Sequence, residues 1–274
     1  KRLLLLIPVL FGVFTITFFL IHFIPGDPVE IMLGDYSSVA DRDLLRKELG
    51  LDKPIGEQYL IQLKNVLQLN LGQSLQSKKP VMAEIWSRVP ASLELGAAAI
   101  LLAICIGIPL GVVAAIKESS LVDHSILLTS VLALSFPALW SGPLLIWVFA
   151  IELDIFPMGE RDQLINLILP SISLSIGIIA LITRMTRSSM LDVLSEDYIR
   201  VAKAKGLAPW LIYFKHALIN AIMPILTVLG LVMGALLTGA VIVETIFDWP
   251  GIGLLMFQAI QNREIGRASC RERV

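Results

Sequence analysis

The sequence predicts an all-α, polytopic membrane bundle, and three observations carry that expectation. Hydrophobic residues make up 56% of the chain and charged residues 16%, where soluble domains carry about 25% charged, and the mean hydropathy is +0.79. Five apolar runs approach or exceed the roughly 20 residues a helix needs to cross the hydrocarbon core: Leu3–Ile24, Leu93–Ile116, Ile126–Ile151, Leu164–Thr183 and Ala217–Val243. Between the fourth and fifth lies a short charged stretch, SEDYIRVAKAKGLAPW, Ser195–Trp210, too polar to span.

The first run follows Lys1 and Arg2 and could be mistaken for a signal peptide. It is longer than the usual apolar core of about 7–15 residues and no small-x-small cleavage site follows, so a retained span is expected. The second run carries Glu94 near its start, where a charge can reach the interface. The third contains Pro137 and Pro143 and should be kinked or broken. Orientation follows from positive charge in short loops. Lys1 and Arg2 precede the first span, the segment between spans four and five carries Arg184, Arg187, Arg200, Lys203, Lys205 and Lys215, and the loop between spans three and four has only Arg161. With five alternating spans, both basic clusters fall on the inside, and Pro25–Ser92 lies outside.

That outer loop reads as a small soluble cap of short helices. VADRDLLRKELGL places Leu44, Leu45 and Leu49 on one side with Gly50 as a stop, and IGEQYLIQLKNVLQLNLG repeats the pattern. Two spans contain a pair of glycines four apart, Gly107–Gly111 and Gly230–Gly234, a flat strip for close helix packing within the chain or with a sibling. The expected division is residues 1–92, first span plus outer loop; 93–264, membrane core; and 265–274, IGRASCRERV, a polar tail that breaks with the rest.

The familiar catalytic signatures are missing. The dipeptide Gly-Lys does not occur, so the chain has no phosphate-binding P-loop, and H-E-x-x-H, C-x-x-C and G-x-S-x-G are absent too. His22, His124 and His216 sit on separate segments, and Cys105 and Cys270 form no framework. The only in-span charge in these five runs is Glu94, so the paired ionisable groups expected of a proton- or sodium-coupled carrier are not evident. The chain reads as a conduit without its own engine.

The charged stretch has the marks of a short helix with defined ends. Ser195 can cap it, Glu196 and Asp197 suit the first turn, and Arg200, Lys203 and Lys205 suit the last. Glu196 and Arg200 are four apart, and Gly206 supplies the left-handed residue after the end. Its apolar residues, Leu194, Tyr198, Val201, Ala202 and Leu207, are expected to share one face. Too short to stand alone in water, it either lies on headgroups or docks into a groove of a partner.

At this point DYIRVAKAKGL followed by FKHALINAIMP resembles the cytoplasmic loop of ABC importer permeases. FIPGDPVEIMLG, LGLDKPIGEQY, NLGQSL, PVMAEIWSRVPASLELG, GIPLGVVAA, SFPALWSG, SMLDVLSEDYIRVAKAKGL and VETIFDWPGIGLL fit, in order, the oligopeptide, dipeptide and nickel branch, over roughly Leu3–Glu264. The resemblance implies a type I importer permease whose coupling helix, at 195–207, docks a cytoplasmic ATPase through Asp197, Tyr198, Arg200, Ala202, Lys203, Gly206 and Leu207. The glutamate of the general motif is replaced by Arg200 and its later proline by Ile219.

It further implies a sibling permease, ABC ATPase subunits, an extracytoplasmic substrate-binding protein on the side of Pro25–Ser92 and Glu244–Gly253, membrane lipid around it, and no cofactor. ATP hydrolysis belongs to the partners, the location is a bacterial or archaeal inner membrane with the N-terminus cytoplasmic, and nucleic acid plays no part. The family has a sixth span, so the chain is expected to be a truncated form with a foreign tail. Peptides are the expected substrate class, with nickel, glutathione or oligosaccharides as alternatives. A partner-independent secondary transporter, an intramembrane enzyme and a non-transporting scaffold are the competing classes.

Overall fold

The computed structural model describes residues 2–23, 46–47, 51–72, 74, 79–157, 161, 163–237 and 240–261. The secondary-structure elements among them are helices: α1 Arg2–Phe23, α2 Ile55–Leu67, α3 Val81–Ile116, α4 Leu121–Ser135, α5 Ala138–Leu145, α6 Ile168–Leu194, α7 Asp197–Ala204, α8 Ile219–Leu237, α9 Val241–Ile246 and α10 Ile252–Gln261. A π-helical stretch, Ile146–Glu152, continues α5; a 3-10 turn, Leu164–Leu167, leads into α6; a π-helical stretch, Leu211–Leu218, leads into α8. The expected helix around Leu44, Leu45, Leu49 and its stop Gly50 lies outside the described residues, as does the tail 265–274. The chain forms two compact units, residues 1–87 with 257–274, and residues 88–256.

In the first unit α1 has 22 residues, about 33 Å at 1.5 Å per residue, which matches the hydrocarbon thickness. Its apolar residues face outward along most of its length, as lipid contact requires. The second expected helix of the outer loop exists as α2, but it is no free-standing cap. Tyr59 inserts its ring among Phe11, Phe14, Phe18 and Phe19, and its hydroxyl lies 2.8 Å from Thr15 Oγ1.

In the second unit the apolar runs become helices, with boundaries that differ from the sequence reading. α3 begins at Val81, twelve residues before the expected start at Leu93. Glu84, Arg88 and Pro90 read as loop, yet the helical backbone runs through them. At 36 residues α3 is about 54 Å long, so its polar first turns extend beyond a core of about 30 Å. α6 likewise continues past Thr183 to Leu194. The third run is broken as Pro137 foretold: α4 ends at Ser135, Pro137 stands before α5, and the axis turns by 101°. Three continuous helices, Val81–Ile116, Leu164–Leu194 and Leu211–Leu236, are long and apolar enough to span, and the bent pair adds a fourth.

The glycine strips part ways. Gly107 and Gly111 lie against α6, where a Cβ on Gly111 would stand 2.5 Å from Thr186 Cβ and 2.6 Å from the Thr183 carbonyl oxygen. That strip lets α3 and α6 come into backbone contact within the chain. Among the described residues, Gly230 and Gly234 on α8 have no neighbouring protein atom within 4 Å of the same position. Glu94, the in-span charge seen in the sequence, is paired with Arg161 at 2.6 Å.

Candidate functional site

Two charged or polar assemblies lie near the ends of α8, and the sequence led to one of them. The first is α7. Helix α6 does not stop before Ser195: the Ser195 N–H donates to the Leu191 and Asp192 carbonyls, and its Oγ donates to the Asp192 carbonyl at 2.7 Å. Ser195 therefore closes α6 and cannot cap α7, correcting the expectation. Glu196 takes the N-cap position in extended conformation, φ −68° and ψ 147°, with no side-chain cap. The expected Glu196–Arg200 pair gives way to Arg200–Asp197 at 3.2 Å, because Glu196 stands outside the helix.

The other end of α7 is as expected and more fully built. The Gly206 N–H donates to the Lys203 carbonyl at 3.0 Å, the Leu207 N–H donates to the Ala202 carbonyl at 3.3 Å, and Gly206 has φ +75°. This pair of bonds is a Schellman motif, with Leu207 packed into the same apolar cluster as Ala202. The motif fixes the direction in which the chain leaves α7.

The buried face of α7 is not the one expected. Tyr198 and Val201 are exposed; Ile199, absent from the expected set, is fully buried and shares the inner face with Ala202. Both enter a dry socket built by Val112 and Ala115 at the end of α3, Met190 on α6, and Ile212, Ala217 and Ala221 at the start of the next span. Burying an isoleucine of this kind contributes about 1.5–3 kcal/mol, enough to hold a helix that cannot stand alone. Of the residues expected to meet a partner, Ala202 faces the protein's own interior and Leu207 is partly buried. Asp197, Tyr198, Arg200, Lys203 and Gly206 are exposed. The Tyr198 hydroxyl accepts from Asn220 Nδ2 at 2.9 Å, so its ring is held to the start of α8.

The bundle behind the socket is braced by a partly buried ion pair that sequence reasoning missed. Arg187 on α6 donates from Nε to Asp123 Oδ1 at 2.6 Å and from Nη2 to Asp123 Oδ2 at 2.7 Å. Asp123 Oδ2 also accepts from the Ser119 N–H at 3.0 Å, and Ser120 Oγ caps α4 by accepting from the Asp123 N–H. Arg187 had been counted only as loop charge; its spacing from Asp123, 64 residues, gives no local signal. Asp123 is buried but Arg187 is 21% exposed, so removing Asp123 leaves a partly solvated guanidinium, at a cost below the roughly 3–5 kcal/mol of a fully buried pair, whereas replacing both with apolar groups is often neutral. Asp123→Ala is therefore expected to lower the unfolding midpoint of the detergent-purified protein by several degrees, and Asp123→Leu with Arg187→Met to recover most of it, as a thermal-shift series would read.

The second assembly surrounds Glu244 on α9, beyond the far end of α8, and it too was missed. The Glu244 side chain is fully buried, and no cation is paired with it among the described residues. Its Oε1 accepts from Ser92 Oγ at 2.8 Å and its Oε2 from the Leu254 N–H at 3.0 Å; Ser92 Oγ in turn accepts from the Ile252 N–H at 2.8 Å. The open N–H groups at the start of α10 are thus satisfied by a carboxyl from α9 and a hydroxyl from α3. Trp249 closes the assembly, donating from Nε1 to the Ala91 carbonyl at 2.8 Å and packing with Ala91, Leu95 and Val243. A Cβ on Gly251 would collide with the Glu244 carboxyl, and one on Gly253 would stand 2.7 Å from Val241 Cα, so VETIFDWPGIG is one interlocked unit. A carboxylate in an apolar run followed by closely spaced glycines was the signal that could have found it.

A many-helix membrane bundle that holds a short polar helix on an apolar socket fits a membrane transport subunit. The chain belongs to the family described as binding-protein-dependent transport system inner membrane component, the permeases of ABC importers, whose profile matches residues 107–269; the family's N-terminal region matches residues 1–96. It is thus a multi-pass inner-membrane permease and not a member of a catalytic family.

Among its relatives are the di/tripeptide transport system permease protein of Pseudomonas aeruginosa, 44% identical, and the dipeptide transport system permease protein of Escherichia coli K12, 40% identical. Each alignment covers 96% of this chain and 87% of the relative. The glutathione transport system permease protein of Pectobacterium atrosepticum is 39% identical over 96% of this chain and 86% of its own length.

Proposed function

We propose that this chain forms half of the translocation pathway of an ATP-driven importer for di- or oligopeptides. It pairs with a sibling permease, receives substrate from an extracytoplasmic binding protein, and is driven by a separate cytoplasmic ATPase that docks on α7. The N-terminus and α7 are cytoplasmic, and the Glu244 assembly faces the other side, as the distribution of Lys and Arg favours. Residues 1–92 act as the first span with its outer segment and residues 93–264 as the permease core.

The observation that carries this reading is the division of α7 into two faces. Ile199 and Ala202 root it in a socket made by three spans, while Asp197, Tyr198, Arg200, Val201 and Lys203 remain outside. A force applied to the outer face is delivered to α3, α6 and α8 together. Peptides are favoured by the names of the two relatives at 44% and 40% identity. Glutathione, itself a small peptide, is a second reading with its own support. Alignments with the dipeptide permeases run over 294 and 296 residues, longer than this chain, so those relatives hold residues with no counterpart here. The alignment with the glutathione permease runs over 264. Nickel remains a reading from the family resemblance alone.

Gly206→Glu tests the docking role. Among the described residues no neighbouring atom lies within 4 Å of a Cβ there, so the side chain would project outward into the partner's space. The left-handed backbone adds about 1–2 kcal/mol of local strain. Membrane insertion is expected to be normal and association with the ATPase, measured by co-purification, to fall at least tenfold. Normal association would remove α7 from the docking site and favour a partner-independent carrier.

A further inference from the structure

α2 carries apolar side chains that the protein leaves uncovered. Leu60 and Leu67 are exposed, while Tyr59, Leu63 and Val66, on the adjoining arc of the helix, are partly buried. Glu57 and Lys64 are exposed beyond the other edge of the leucines. A leucine pair facing water on a helix of 13 residues would be costly, and the position of α2 along α1 says what covers it.

α2 meets the second half of α1 through Gln58 and Tyr59, in its first turns. Gln58 Oε1 lies 3.2 Å from His22 Nε2, near the end of α1, and the Tyr59 ring reaches Phe18, Phe14 and Phe11, three turns further in. The Tyr59 hydroxyl meets Thr15, eight residues from Phe23 and so about 12 Å inside the end of the helix. If α1 fills the hydrocarbon thickness, the turns of α2 that meet it here stand at the level of lipid, not of water.

We propose that α2 is an amphipathic helix seated in the leaflet that surrounds the second half of α1, with Leu60 and Leu67 against lipid acyl chains and Glu57 and Lys64 at the headgroups. The occupant of its open face is lipid because the neighbouring α1 residues Val13, Ile16 and Leu20 are themselves exposed apolar groups at the same depth. α2 thereby becomes a second membrane anchor in the middle of the long outer segment, in place of the soluble cap expected from the sequence. This inference rests on α1 being a span.

The test is collision accessibility of spin labels in the full-length chain, assembled with its partners in phosphatidylcholine–phosphatidylglycerol vesicles. Leu60→Cys, Leu67→Cys, Glu57→Cys and Lys64→Cys are labelled singly with Cys105 and Cys270 replaced by serine, alongside Val9→Cys on α1. Oxygen is expected to reach labels at 60 and 67 severalfold more readily than a water-soluble nickel chelate, with the order reversed at 57 and 64. Equal access of the chelate at all four positions, with Val9→Cys still lipid-exposed, overturns the seating of α2 and leaves the α1 span intact. Labels at 60 and 67 shielded from both reagents would overturn it in favour of a protein partner. A water-exposed label at position 9 would bring down the α1 span and this inference with it.

Discussion

Glu244→Ala is expected to be the most damaging single change in the described structure. It leaves the Ser92 hydroxyl and the Leu254 N–H without an acceptor in a site that excludes water, and it opens a void beneath Gly251. Each stranded group costs about 1–3 kcal/mol and the lost packing adds to that, so a total of about 3–5 kcal/mol is expected. Glu244→Gln should be much milder. Its carbonyl can still accept from Leu254 and its amide can donate to the second lone pair of Ser92 Oγ, so that only the Ser92 hydroxyl proton loses its acceptor and the packing is kept. Gly251→Ala should be nearly as damaging as Glu244→Ala in the native background, since its methyl falls on the carboxyl. It should cost less once Glu244 is already alanine, a non-additivity characteristic of residues in contact. Unfolding midpoints of the four purified variants check the series; additive losses would mean that the two positions do not touch.

The second large effect is at Ile199. Ile199→Asp puts an unpaired carboxylate in a socket lined by Met190, Ile212 and Ala217, where no partner is offered. α7 is expected to leave the socket while the spans stay folded, because the helix is short and the Asp123–Arg187 brace lies elsewhere. Substrate-stimulated ATPase activity of the assembled importer should fall at least tenfold, with membrane insertion unchanged. Val201→Asp places the same charge two residues away on the exposed face and should leave α7 seated. It should weaken ATPase association without altering protease sensitivity of the α6–α7 connection, whereas Ile199→Asp should increase that sensitivity. Equal protease patterns for the two variants would contradict the two-faced description of α7.

Much of the fold was legible in the sequence because spans announce themselves by apolar length alone. The proline break between α4 and α5 and the left-handed Gly206 each followed from a local rule, while the glycine pairs announced close packing without saying which of them is used within the chain. What the sequence hid was of two kinds. At α7 the ends were misread because α6 runs on to claim Ser195, and the inner face was misread because eight residues are too few for a helical period to show itself. Ile199 is buried on account of where α3, α6 and α8 converge, and nothing within α7 encodes that. At Asp123–Arg187 and Ser92–Glu244 the partners are 64 and 152 residues apart, so neither pairing had a local signature. The lateral seating of α2 was hidden for the same reason: Tyr59 reads as an ordinary helical residue until Thr15 and Phe18 are found beside it.

The central claim, that the outer face of α7 meets a cytoplasmic ATPase, is tested most directly by site-specific photocrosslinking in native membranes. A photoreactive residue is placed at Val201, which is exposed, and separately at Ile199, which is buried. The account predicts that position 201 captures a protein carrying a phosphate-binding P-loop, identified by mass spectrometry, and that position 199 yields only crosslinks within this chain. Capture of lipid alone from position 201, in cells where the transporter is active, would contradict it and make α7 an interfacial helix.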